Sequence, residues 1–299
     1  MSADDPRRGP AAVTGERPRP STLVLLLVVA AATLAGIVAL WLMDTSPWGD
    51  FDEVSWLVTL IGRFFTIGVG LVAWRARPDN RVGPLFVVAG FAGFIPFLSF
   101  GGDALAWTVG DMWVLAGIVV LAHIYLAFPE GRTAGWSRQL AIAVYAWFLV
   151  FTVAERLVRA YTPDWPWTNP LLLWPHEAAA ELVGQASLLG GLVLAVLVVA
   201  TVIEKWRRGT NLARRALAPV FWVSPVTLIV VGAWLLGRLV DSEALTAVAT
   251  GPLAQLSAFL LPLAFLIGLL QTRLSHASVA DLVLELEGVT TAELEPALA

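Results

Sequence analysis

Few side chains in this sequence are placed to do chemistry. Arg63 is the one basic residue near the middle of an apolar run, nine residues from Val54 and eleven from Trp74. Burying a guanidinium at that depth costs at least ~2.5 kcal/mol even on the mild insertion scale, so it should face the bundle interior or a wet cavity. Asp111, Glu155 and His123 are its candidate partners. Two roles are open to it, a sensing cation or a structural ion pair. His176 beside Glu177 is a candidate acidity sensor, because an imidazole titrates near neutral pH. The chain has no cysteine, so disulfide and thiol chemistry are excluded, and His123, His176 and His276 lie far apart in sequence, which argues against zinc. No paired carboxylates or His-rich motif lies inside the apolar runs, so an enzyme ranks last and no cofactor is expected.

The elements that must position these residues are membrane helices. The 299 residues are 58% hydrophobic and 14% charged, against roughly 25% charged in a soluble globule. The fold class is therefore all-α, a polytopic bundle. Eight runs are long and apolar enough to cross a bilayer: Thr22–Met43, Val54–Trp74, Val82–Phe100, Gly110–Phe128, Leu140–Ala154, Leu182–Ile203, Leu217–Val240 and Pro252–Leu270. The fifth is the shortest and is open to extension through Glu155 and Arg156 toward Tyr161. Residues 1–21 read as a polar, Pro/Arg-rich disordered tail rather than a signal peptide.

Charge sets the orientation. Fifteen of nineteen basic residues fall on one side: four in the tail, then Arg75, Arg77, Arg81, Arg132, Arg138, Lys205, Arg207, Arg208, Arg214, Arg215 and Arg273. The alternate connections carry Asp44, Asp50, Asp52, Glu53, Asp103, Asp111, Asp241 and Glu243. The positive-inside rule then places both termini in the cytoplasm of a cell-membrane protein. Trp41, Trp56, Trp74, Trp107, Trp136 and Trp206 near span ends read as interfacial anchors. Pro96, Pro225 and Pro262 predict kinks in the third, seventh and eighth spans. No inverted repeat is evident, which weakens a transporter reading.

The fifth connection, from Arg156 to Glu181, is the longest external one and holds Trp165, Trp167, Trp174 and His176 among several prolines. It reads as an interfacial cap over the bundle in preference to a binding loop for an apolar ligand. The sixth, Glu204 to Arg215, is short and basic, which suits anionic lipid and not nucleic acid.

Two connections have the chemistry of tight turns. One runs from Arg75 through Pro78, Asp79, Asn80 and Arg81 to Gly83 and Pro84, and the other is Phe128-Pro129-Glu130-Gly131-Arg132. Local physics makes each a hairpin. In this order, with Arg273-Leu274 and Val279-Ala280-Asp281-Leu282-Val283 behind them, they resemble the membrane input region of actinobacterial two-component sensor histidine kinases, over roughly residues 22 to 299. The resemblance implies a sensor that passes a conformational signal through the last span to a cytoplasmic helix, a homodimer in the full-length kinase, and a response regulator reached only through a kinase domain. The kinase motifs of that family do not occur after residue 273, and Thr290 to Glu293 reads as a capping box opening a helix that the sequence then leaves, as in a truncated downstream region.

The last span runs without Gly or Pro into a different pattern. Val279, Leu282, Val283 and Leu286 recur at helical spacing after Arg273, with Asp281 and Glu285 on the other side. So narrow a stripe predicts a short cytoplasmic amphipathic helix that packs on a partner helix, in preference to one lying on the membrane, so that residues 272–299 hold this juxtamembrane signalling helix and the start of the downstream region. The function expected is signal input. A transporter or permease, or a stand-alone membrane accessory protein, is the alternative.

Overall fold

The computed structural model describes residues 19–47, 52–161, 167–209, 211–251, 253–268 and 270. Among these, every regular element is helical: α1 Thr22–Asp44, α2 Glu53–Ala76, α3 Val82–Ala92, a 3-10 helix Ile95–Phe100, α4 Ala104–Met112, α5 Ala116–Ala127, α6 Gly135–Val158, α7 Glu177–Arg208, α8 Asn211–Leu239, α9 Glu243–Thr250 and α10 over 253–268. They group into eight helical stretches long and apolar enough to cross a membrane, in the expected order. The fifth does extend past Glu155 and Arg156, to Val158. The fourth and eighth begin earlier than their apolar runs, at Ala104 and Glu243. The chain is a multi-pass helical membrane protein.

Polar residues at the chain's turns start many of these helices. Ser21 accepts from the Val24 amide, Asp52 from Ser55 and Asp103 from both Leu105 and Ala106, each satisfying donors that the first helical turn leaves free. His176 caps α7 by accepting the Ala179 amide at Nδ1, and Ser242 caps α9.

The helices pack where side chains are missing. A Cβ on Gly36 would lie 2.3 Å from the ring of Phe64, so α1 takes that ring in a notch. Gly70 and Gly83 face one another across the α2–α3 hairpin, where a Cβ on Gly83 would stand 2.4 Å from the Trp74 nitrogen. Small residues allow this approach of two backbones.

Three spans are interrupted inside the bundle. The third stops being α-helical at Gly93 and continues as the 3-10 helix that contains Pro96. Phe91, Phe94, Phe97 and Phe100 then fall in one column, each ring centroid 6.3 Å from the next. Three residues per turn align side chains at this spacing. The fourth span breaks between Met112 and Ala116, and the eighth between Thr250 and 253. Pro225 lies inside the continuous α8 together with Pro219.

Candidate functional site

Arg63 lines a cavity of about 500 Å³ between the second, third, fourth, seventh and eighth spans. Its Nε is buried and has no acceptor. The expected partners are all committed elsewhere. Asp111 pairs with Arg156, Glu155 with Arg159 at 2.8 Å, and His123 Nδ1 lies 3.2 Å from the Tyr145 hydroxyl. The sequence puts Arg63 in the bundle interior or a wet cavity, but the neighbours it offers are taken, since Asp111 and Glu155 pair with arginines at the C-terminal end of α6. Among the described residues no ion pair involves Arg63.

What does face the guanidinium is backbone. A Cβ added to Gly93 would come 2.4 Å from Arg63 Cδ and 2.8 Å from Cζ, so the side chain lies flat on the C-cap of α3. The negative end of a helix dipole favours a cation there but supplies only partial charge. The rest of the wall mixes hydroxyls with aliphatic surface: Thr59, Thr66 and Ser257 beside Val114, Ile118, Leu121, Val230 and Val231. Thr59 and Thr66 spend their hydroxyl protons on the Ser55 and Gly62 carbonyls of their own helix. At one end of the cavity Gln255 donates to Ser55 Oγ at 2.6 Å and Ser55 Oγ donates to Asp52 at 2.5 Å. That chain ties the start of α10 to the start of α2.

The two family-like turns are in direct contact. Asn80 is buried, donates from Nδ2 to the Pro129 carbonyl at 2.8 Å and accepts the Val82 amide at Oδ1. The Arg81 amide reaches the Gly131 carbonyl at 3.3 Å. Gly131 has φ +76°, and a Cβ there would lie 2.3 Å from Asn80 Oδ1, so glycine is required by both conformation and space. The Phe128–Pro129 bond is cis. Phe128 itself points inward and is fully buried. Glu130 faces Lys205 at 3.5 Å, and Arg132 follows on the exposed side of the turn.

Lys205 opens the basic sixth connection. It donates to the Leu126 carbonyl at 2.6 Å, one of the unpaired carbonyls that end α5. Trp206 stacks on Phe221 at 4.9 Å, and Arg214 covers Trp206 while donating to the Trp206 and Arg207 carbonyls. The second, fourth and sixth connections thus share one end of the bundle, as the charge alternation requires.

The eighth span joins the two regions. Leu261 and Pro262 line the cavity. One turn on, Phe265 is fully buried and meets Phe86, Tyr125 and Phe128 edge-on at 5.3, 5.2 and 4.9 Å.

The fifth connection folds back on the end of α6. Asn169 donates to the Arg156 and Arg159 carbonyls, and the Leu173, Trp174 and His176 amides reach the Leu157 and Val158 carbonyls. Trp174 is exposed with its ring against His176, and Trp167 is partly buried. None of these three lines the Arg63 cavity. Trp165 lies outside the described residues, as do Arg273, Val279, Leu282, Val283 and Leu286 of the output stripe.

The fold and these two sites define a helical multi-pass membrane protein with a cavity between its helices lined by Arg63. No protein-family model, curated protein or solved structure matches the chain.

Proposed function

We propose that this chain is the membrane input module of a signalling system of the sensor histidine kinase kind, set in the cell membrane with both termini cytoplasmic. A stimulus in the Arg63 cavity displaces the eighth span, and that displacement passes to the helix carrying Val279, Leu282, Val283 and Leu286. The observation that carries the reading is the seat of Phe265 on Phe128. It couples the span that lines the cavity to the Asn80–Gly131 clasp, whose residues are the ones that resemble the kinase input region. Arg63 is the sensing residue in this reading, and Trp165, Trp167, Trp174 and His176 form a cap at the outer end. The partner is a second copy in a full-length kinase, and a response regulator is reached through that kinase's catalytic domain. Lipid surrounds the exposed apolar faces.

The chain's lack of cysteine gives a clean test. Single cysteines placed from Ser278 to Glu287 in native membranes should cross-link between copies at Val279, Leu282, Val283 and Leu286 and weakly at Asp281 and Glu285. Cross-linking without that period removes the packed output helix.

A transporter draws on one specific observation, the breaks in the third and fourth spans beside the cavity, since interrupted helices frame many transport sites. Flux separates the two readings. Vesicles reconstituted with the chain should move no cavity ligand if it is an input module, and saturable uptake would favour the transporter.

A further inference from the structure

We propose that the Arg63 cavity binds an amphiphilic monoanion, an acid head group carrying an apolar tail. The binding claim extends the input reading by naming its stimulus, yet it is read on the purified chain without any signalling output, so the two fail separately.

Three features of the cavity carry it. The first is charge. A guanidinium stays protonated in proteins and presents five donors in a planar fork. Here its Nε has no acceptor, the carboxylates nearest in expectation are paired with Arg156 and Arg159, and α3 offers only a dipole end. A carboxylate or phosphate oxygen pair would satisfy the fork in two parallel bonds and supply the missing charge. The second is number. Arg63 is the one basic residue on the cavity wall, and Asp52 at the Ser55–Gln255 end is acidic. Eleven residues of helix put Asp52 roughly 16 Å from Arg63. One cation facing one acid admits a single negative charge and repels a polyanion. The third is the remaining surface. Val114, Ile118, Leu121, Val230 and Val231 offer aliphatic wall beyond the reach of the head group, and about 500 Å³ lies within the usual 300–1,000 Å³ range of small-molecule sites. A small inorganic anion would leave that wall uncovered.

Gly93 explains how the fork is held ready. Its missing Cβ lets the guanidinium lie on the α3 cap at the cavity wall.

The acid could come from the bilayer, as an anionic phospholipid, or from solution, as a free fatty acid. Radiolabelled decanoate, measured by equilibrium dialysis on the full chain in an uncharged detergent, tests the shared chemistry. Saturable binding at one site per chain is expected, with decanol and decylamine at least tenfold weaker as competitors. Arg63→Gln should weaken decanoate more than tenfold, and Arg63→Lys should fall between, since it keeps the charge and loses the fork. Displacement of decanoate by phosphatidylglycerol supports the site and assigns it to a bilayer lipid. Binding that phosphatidylglycerol does not displace supports the site and assigns it to a free acid. Non-saturating uptake, or decanol competing as well as decanoate, overturns the proposal on the wild-type chain alone, even where Arg63→Gln fails to fold. Unchanged binding to a folded Arg63→Gln also overturns it.

Discussion

Phe265 stands edge-on to Phe128 with ring centroids 4.9 Å apart, so the last span rests on the inward-facing residue of a turn between two others. Both rings are fully buried. Phe265→Ala should therefore cost about 3–5 kcal/mol, the usual cost of removing a core ring. Phe259, six residues earlier, is only partly buried and meets one ring, Phe65, at 5.5 Å. Phe259→Ala should cost clearly less. Thermal unfolding of the two variants in the same detergent checks the order.

Gly131 and Gly135 both have positive φ, +76° and +50°, but their surroundings differ. A Cβ on Gly135 meets nothing within 4 Å, whereas one on Gly131 runs into Asn80. Gly135→Ala should cost only the left-handed backbone penalty, about 1–2 kcal/mol. Gly131→Ala should cost that and break the clasp as well. Equal losses of thermal stability would show that the clasp contributes nothing.

Asn80 serves two partners that ask for opposite chemistry. Oδ1 accepts the Val82 amide within its own turn, and Nδ2 donates to Pro129 across the clasp. Asn80→Asp keeps the first and places an oxygen against the Pro129 carbonyl. If the clasp matters, Asp should be no better than Ala, each losing about 1–3 kcal/mol from an unsatisfied buried group. If Asn80 only caps its own turn, Asp should restore stability, and denaturation of the three proteins in parallel decides.

Asp52 lies outside the spans, and hydrogen bonds from the Ser55 hydroxyl and amide hold its carboxyl below the usual carboxylate range. A folded-state value below the unfolded one stabilises the start of α2 fully above pH ~3.9 and loses that effect as pH falls through the lower folded value. Protection of the Ser55 amide from hydrogen exchange should hold at pH 5 and decline only at more acid pH. In Asp52→Ala that acid step should be absent. A step centred near neutral pH would assign the titration to another group.

Long apolar runs made the eight spans readable, since length and composition alone decide whether a helix can cross a bilayer. Their ends were less readable. Ala104 to Val109 forms helix because Asp103 caps it, and α7 runs on through Lys205 and Arg208 because a helix need not stop where the membrane does. The break at Gly93 and Pro96 has a local signal, but the one at Trp113 to Leu115 has none, since Trp113, Val114 and Leu115 are as apolar as their neighbours. Arg63 could be placed by depth alone. Its lack of a partner could not, because Asp111 is claimed by Arg156, which tertiary packing brings near, while Glu155 is claimed by Arg159 one turn along its own helix. The contact of Asn80 with Gly131 joins turns some fifty residues apart, and no local pattern encodes it.

The column of Phe91, Phe94, Phe97 and Phe100 has a consequence for the length of the third span. A 3-10 helix rises about 2.0 Å per residue and an α-helix about 1.5 Å. Over the six residues from Ile95 to Phe100 the difference is about 3 Å. Rewinding that segment as α-helix would shorten the span by this amount and swing Phe100 roughly 120° around its axis, at about 20° per residue. Trp56, edge-on to Phe97 and Phe100 at 5.3 and 4.8 Å, would lose both rings. The aromatic column thus holds the third span about 3 Å taller than a continuous α-helix of the same residues would be.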